Sequence, residues 1–322
     1  MLHDFTSQFW ANTVDGLTVG SIYALVALGY TMVYGVLRLI NFAHSEIFMI
    51  GTFGGLTLIQ VVGFDNGPYT GIALVGVLLA CLIASMVASG GAALVLELIA
   101  YRPLRRKGAS RLAALISAIG ASLFLQELFA TTVIPHFFGH GGGRDPIHVP
   151  DLMKKETLFS IGSGDVRNDK LLIFVAAIVM MIVLDRFVNA SKLGRGIRAT
   201  AQDPETAVLL GVNIDRVVVV TFVVGGLMAG AAGFFFALLY QQTMFNIGFI
   251  LGIKAFTAAV LGGIGNLRGA LVGGFTLGLI ENYGGSIFGS EWKDVIAFTL
   301  LVVILLFRPT GILGESLQQA RA

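Results

Sequence analysis

Long apolar runs alternate with short polar joints along this chain. A membrane span takes about 20 mostly apolar residues, and candidate runs lie at 12–37, 40–63, 71–100, 112–134, 170–188, 217–239, 249–264, 269–288 and 295–307. The run at 71–100 is long enough that its helix must tilt or project into water. Those at 249–264 and 295–307 are short and read as half-helices or deeply buried pieces. The pattern predicts an all-α, polytopic transmembrane helical bundle. It is expected to have eight to ten spans, nine by this count, in a single domain covering 1–322.

One joint differs from the others. Ser191 to Arg216 is polar, charged and rich in small residues. Within it, Asp203-Pro204-Glu205 predicts a helix start: Asp caps free N–H groups, Pro is preorganised for the first position, and Glu suits the positive end of the dipole. Gly211 or Asn213 then offers a left-handed stop. A helix of about two turns is too short to stand alone in water, so it is expected to dock. Ala207, Leu210 and Gly211 share one face by helical spacing, a small apolar knob suited to a cleft on another protein. A solvated loop between spans is the plain alternative.

Composition agrees with the membrane reading. Of 322 residues, 56% are hydrophobic and 12% charged, against roughly 25% charged in soluble domains; the mean hydropathy is +0.84. The net charge of +2 is small, and the basic residues sit in short loops beside acids, which argues against nucleic-acid binding. The single cysteine, Cys81, lies in an apolar run, so neither a disulfide framework nor a thiolate metal cluster is expected. His3, Asp4 and Gln8 precede Trp10 without a basic stretch, so the first span is expected to act as its own insertion signal.

Lysine and arginine set the orientation. Arg102, Arg105, Arg106, Lys107 and Arg111 fall within 101–111 without an acid, which predicts a cytoplasmic loop. Segment 135–168 balances its charges and carries Gly141-Gly142-Gly143 and three prolines, so it reads as an external loop. Counting from there places 191–216, Asn266, Arg268 and Arg308 on the cytoplasmic side, and 289–294 and the N-terminus outside.

Glycine is abundant, with 42 residues. Gly16/Gly20, Gly51/Gly55, Gly226/Gly230, Gly269/Gly273 and Gly274/Gly278 are small-xxx-small pairs, which let helix backbones approach closely in lipid. There is also a faint internal echo. Gly29–Tyr34, Ile40-Asn41-Phe42 and an apolar run to Leu58 resemble Gly233–Ala237, Phe245-Asn246-Ile247 and a run to Leu261. Both read as helix, polar break, helix, as in the repeated halves of transporters.

Ionisable groups within spans cost roughly 2.5–3.5 kcal/mol each at a helix centre and so need a reason. Asn41, His44, Ser45 and Glu46, with Asn246 at the matching break, are candidates for a gate or pathway lining. Alternatively, Asn41 and Ser45 cap the second helix, with Glu46 at its positive end. Glu97 is placed near a span end and is expected to reach polar surroundings. Gln126 and Glu127 fall mid-span. Lys254 and Glu281 are expected to form a structural ion pair, with a proton or cation relay as the sharper reading. Asp185 and Arg186 sit at a boundary.

No phosphate loop, H-E-x-x-H or C-x-x-C is present. His44, His136, His140 and His148 do not form an evident ligand cluster, although the last three could meet a metal in an external loop. Neither catalysis nor a bound cofactor is expected of this chain, and any ATPase must be separate.

Three ordered motifs carry a family resemblance. Gly20–Leu25, Gly29–Gly35 and Ile40–His44 resemble the N-terminal signature of branched-chain amino acid ABC-transporter permeases of the LivH type. Gly194–Ala199 with Asp203, Ala207 and Gly211-Val212-Asn213 resembles that family's ATPase-coupling loop. Ala258–Asn266 followed by Gly269-Ala270 resembles its C-terminal signature. The likeness covers about residues 12 to 310; Ser45 departs from it, standing where glycine is expected.

The resemblance implies a bacterial inner-membrane importer. This multi-pass chain would pair with a second homologous permease, two cytoplasmic ATPases holding ATP and Mg, and an extracytoplasmic amino-acid-binding protein. Arg198, Asp203, Pro204, Glu205, Ala207, Leu210 and Gly211 would couple it to an ATPase. Cargo would be leucine, isoleucine or valine. The rivals are urea or short amides carried by the same machinery, an ion-gradient-driven amino acid transporter, and a scaffold subunit.

Overall fold

The computed structural model describes residues 8–139 and 143–314. In chain order the helices begin with α1 (Phe9–Leu37), α2 (His44–Val62), α3 (Gly71–Arg106) and α4 (Arg111–Phe137). Short strands follow: β1 (Ile147–His148), β2 (Thr157–Ile161) and β3 (Gly164–Arg167). Then come α5 (Asn168–Ala190), α6 (Lys192–Gln202), α7 (Pro204–Leu209) and α8 (Ile214–Tyr240), and after β4 (Gln242–Thr243), α9 (Ile247–Gly262), α10 (Leu267–Phe288) and α11 (Lys293–Phe307). Each of α3 and α4 contains one wide π turn, at Glu97–Tyr101 and Phe129–Val133.

Every predicted apolar run becomes a helix, but fewer of them can cross a membrane alone. Among the described residues six are long and apolar enough, namely α1 to α5 and α8, and a seventh span results if α9 and α10, bent by 119° at their junction, count as one. The break between them is Gly263–Asn266, where Gly263 and Gly265 take φ of 104° and 100°, angles that side chains with a Cβ rarely adopt. α11 has 15 residues, about 22 Å at 1.5 Å per residue, short of the ~30 Å hydrocarbon core. Against the expected eight to ten spans, length and composition thus single out six or seven candidates among the described residues. Segment 135–168 is also more than a loop: its first residues finish α4, β2 pairs with β3 as an antiparallel hairpin, and β1 pairs with β4.

The chain divides into two compact units, one formed by 32–154 and 186–252, the other by 1–31, 155–185 and 253–322. In the first, α2, α3 and α8 pack against one another. A Cβ on Gly230 would lie 2.4 Å from the Ser85 carbonyl oxygen, and one on Gly51 2.7 Å from the Gly230 Cα. Helices this close have no room for a side chain, and dispersion plus a few polar bonds such as Ser89 Oγ donating to Ile47 O (2.7 Å) hold them. In the second unit the first part of α1 packs on α10 in the same manner: a Cβ on Gly274 would meet Ala24 at 2.6 Å.

The internal echo has a structural counterpart. α1 and α8 each stop at a non-glycine residue in the left-handed region, Arg38 (φ 51°) and Gln241 (φ 55°), whose N–H bonds back to Tyr34 O and Ala237 O. A short break then leads into α2 or α9. The first helix of each repeat packs with later helices of the other, α8 with α2 and α3, and α1 with α9 and α10.

Candidate functional site

The joint between α5 and α8 is built as two helices, not one. Ser191 Oγ accepts from Gly194 N (2.8 Å) to start α6. Gly194, Ile197 and Thr200 turn inward, while Lys192, Arg195 and Arg198 face out. Asp203 then caps α7, as expected: its Oδ1 accepts from the N–H of Glu205 (3.0 Å) and Thr206 (3.3 Å), and Thr206 Oγ1 donates to the other oxygen. These bonds, the Thr206 hydroxyl first, hold the Asp203 carboxyl below the usual carboxylate range. Gly211 (φ 84°) supplies the left-handed stop. Its N–H reaches Val208 O (2.9 Å) and the Val212 N–H reaches Ala207 O (3.0 Å), a Schellman closure. Asn213 does not serve as the stop; it caps α8 by accepting from Arg216 N (2.9 Å).

The expected knob is split. Ala207 is 1% exposed, whereas Leu209 and Leu210 are 86% and 76% exposed. Ala207 and Leu210 stand about 60° apart around the helix, and although the Leu210 N–H still donates to Thr206 O (3.1 Å), only Ala207 turns inward. The outward apolar face is instead Val208, Leu209 and Leu210, with Pro204 and Glu205 exposed beside it.

This segment is braced against its surroundings at several points. Arg198 donates from Nη1 to Val188 O (2.8 Å) and Asn189 Oδ1 (2.7 Å), closing the end of α5. Arg38 donates from Nη2 to Ala201 O (3.0 Å), at the end of α6. A Cβ on Gly194 would fall 2.2 Å from Val188 O, so only glycine seats α6 there. Asp215, at the start of α8, takes Arg105 Nη2 (2.6 Å) and Arg106 Nη2 (3.0 Å) from the end of α3, and Arg105 also reaches the buried Glu97 (3.1 Å). Behind α7 lies a cavity of about 380 Å³ walled by Val36, Leu104, Thr200, Pro204 and Val218.

The polar residues proposed for a gate turn mostly to protein partners. Asn41 accepts from Tyr101 OH (2.8 Å). α2 begins after Ala43, whose side chain caps nothing, so neither Asn41 nor Ser45 is a cap; Ser45 Oγ sits 2.6 Å from Phe42 O. Glu46 is fully buried, and its Oε1 accepts from Gln126 Nε2 (3.0 Å) and Ser122 Oγ (3.1 Å), both on α4. His44 is buried and Asn246 is exposed, so the two matching breaks are lined differently. At the position where glycine is expected, the serine hydroxyl bonds to Phe42 O and the Glu46 carboxylate, while the Ser45 backbone lies against Gly248 on α9, where a Cβ would come within 2.2 Å of Ser45 O.

Lys254 and Glu281 form the expected pair (2.8 Å), joined by Asp294 (2.6 Å), and Tyr23 OH donates to the second Glu281 oxygen (2.8 Å). Glu127, placed mid-span by the sequence, lies within α4 with a side chain 56% exposed and paired with Arg144 (2.7 Å). Glu97 meets the expected polar partner, Arg105 (3.1 Å), while fully buried. His136 Nδ1 lies 2.9 Å from Thr132 O, and no group of three metal-capable side chains occurs among the described residues; His140, like His3 and Asp4, lies outside them.

The sequence matches the family described as "Branched-chain amino acid transport system / permease component" over residues 12–305. The chain belongs to this permease family. BraD of Pseudomonas aeruginosa, a high-affinity branched-chain amino acid transport system permease protein, is 43% identical over 94% of each chain. LivH of Escherichia coli K12, of the same description, is 41% identical over 95% of this chain and 96% of its own. The solved structure of PsaBC from Streptococcus pneumoniae in complex with Fab aligns over 96% of this chain and 97% of that one, with a TM-score of 0.49 and 12% identity.

Sequence reasoning about the permease missed α6 and the bracing arginines. The amphipathic spacing of Gly194, Ile197 and Thr200 after a Ser191 cap was a legible signal. The pairing of Arg105 and Arg106 with Asp215, over one hundred positions away, carries none.

Proposed function

We propose that this chain is the permease subunit of an ATP-binding-cassette importer for leucine, isoleucine and valine. It works in the bacterial inner membrane with a second permease, two cytoplasmic ATPases and an external binding protein. The observation that carries the mechanism is the rigid mounting of α6 and α7. A force on Val208, Leu209 and Leu210 cannot be absorbed locally: Arg38 relays it to the end of α1, Arg198 to the end of α5, and the Schellman turn to α8. Asp215 passes it on to α3 through Arg105 and Arg106. The apolar tip fits a greasy cleft on an ATPase, so closure of the ATPases over ATP would swing packed helices between two arrangements. This requires α6 and α7 to face the cytoplasm, in line with the cluster Arg102 to Arg111 at the neighbouring end of α3.

The test is Leu209→Asp with Leu210→Asp in the transporter reconstituted from both permeases, both ATPases and the binding protein. Binding-protein-stimulated uptake of labelled leucine should fall at least tenfold, a loss of ~1.4 kcal/mol in coupling or more, while the permease still inserts and basal ATP hydrolysis continues. Normal coupled uptake would overturn the docking model. Uptake that needs an ion gradient and no ATPase would overturn the transporter class.

A further inference from the structure

A second feature of the permease, independent of its cargo, points to a lipid. Beside the break between α1 and α2 an open cleft of about 380 Å³ is lined by Tyr34, Arg38, Leu39, Arg111, Leu112 and Leu115. Two guanidinium groups border it, and no carboxylate is among its lining residues. Arg38 commits only Nη2, to the carbonyls of Ala201 and Gln202. Arg111, exposed at the first turn of α4, has no hydrogen bond or ion pair among the described residues. Its neighbours Arg102, Arg105 and Arg106 share the carboxylates of Asp215 and Glu97, whereas Arg38 and Arg111 have no ion pair among the described residues, so the cleft holds two guanidinium groups without a carboxylate.

The cleft continues into an apolar stripe. Leu112, Ile116, Ile119 and Leu123 recur at intervals of four, three and four on α4, and all are exposed. They run about 16 Å along the helix, close to half of the ~30 Å hydrocarbon core. A free phosphate would meet the arginines but not the stripe, and a neutral lipid would meet the stripe but leave the charge uncompensated. We propose that the cleft binds one anionic phospholipid, its phosphate between Arg38 and Arg111 and an acyl chain along Leu112 to Leu123. Basic pockets at the ends of membrane helices have this chemistry. Because Arg38 also holds the end of α6, the bound lipid would stiffen the loop segment at its α1 anchor.

The transporter, purified with whatever subunits accompany it in mild detergent, is exchanged into phosphatidylglycerol or phosphatidylcholine and examined by native mass spectrometry. One phosphatidylglycerol per permease should survive detergent washing where phosphatidylcholine does not, and inorganic phosphate at millimolar concentration should not displace it. Arg111→Gln, which breaks no bond within the protein, should remove that lipid, and a photo-crosslinker at position 116 should capture a phospholipid mass. Equal retention in Arg111→Gln and wild type, displacement by inorganic phosphate, or capture of a protein at position 116 would each overturn the site.

Discussion

Asp203 shows how much a single cap decides. Three bonds converge on its carboxylate, and they depress its proton affinity. A depressed folded-state value gives stability that is present above the ordinary aspartate value of about 3.9 and is lost only as pH falls through the lower, folded value. The start of α7 is therefore expected to hold unchanged between pH 7 and 5. Hydrogen exchange at the Glu205 and Thr206 amides, corrected for intrinsic rates, should be flat over that range. It should be faster in Asp203→Ala and close to wild type in Asp203→Asn, since asparagine caps equally well. Lys254 is the opposite case, a buried charge whose partners come from two other helices. Lys254→Met strands Glu281 in a dry site and should cost roughly 3–5 kcal/mol, read as a shortened half-life of folded protein in detergent at raised temperature. Lys254→Met combined with Glu281→Leu should recover part of the loss. The capping of α7 and the Lys254–Glu281 pair were legible in the sequence because each rests on a local rule or a simple charge balance. The outward turn of Leu210 was not, because Ala207 and Leu210 differ by about 60° around the helix, and only packing decides where the buried face ends.

At the scale of elements, glycine positions decide which helices may touch. Gly230 on α8 and Gly91 on α3 look alike in the sequence, since both sit in apolar runs with small neighbours. A Cβ on Gly230 would strike the Ser85 carbonyl at 2.4 Å, while one on Gly91 meets nothing within 4 Å. Gly230→Leu should force α8 off α3 and cost about 3 kcal/mol or more, beyond ordinary overpacking because the obstacle is backbone. Gly91→Leu should be neutral or slightly stabilising, leucine being the better helix former. Fluorescence size-exclusion profiles of the two tagged variants would separate them: aggregation of the second or a normal peak for the first would contradict the packing described. The small-xxx-small pattern announced that backbones would meet, but pairing of α8 with α3 rather than α9 depends on long-range topology. The hairpin of β2 and β3 was hidden for a related reason. Leu158, Phe159 and Ile161 are all exposed, so no alternation of buried and open faces marks a strand.

For the whole molecule the informative feature is the exchange of first helices between the repeats. α2 and α3 are completed by α8, which is synthesised well after them, and α1 finds its partners in α9 and α10. Neither half of the chain contains a finished set. A break between Lys154 and Lys155, where the chain passes from one unit to the other, leaves α1 to α4 in one fragment and α5 to α11 in the other. The first fragment alone keeps the glycine-lined surfaces of α2 and α3 without the helix that fills them, and the second keeps α10 without α1. Lipid is a poor substitute for either partner, since what the missing helix supplies is close backbone packing rather than burial from water. Co-expressed, the fragments should co-purify through a tag on one of them; expressed singly, each should be degraded or aggregate. If either fragment accumulates alone as monodisperse protein and the two fail to associate, the helix exchange is wrong and each half must close on its own helices.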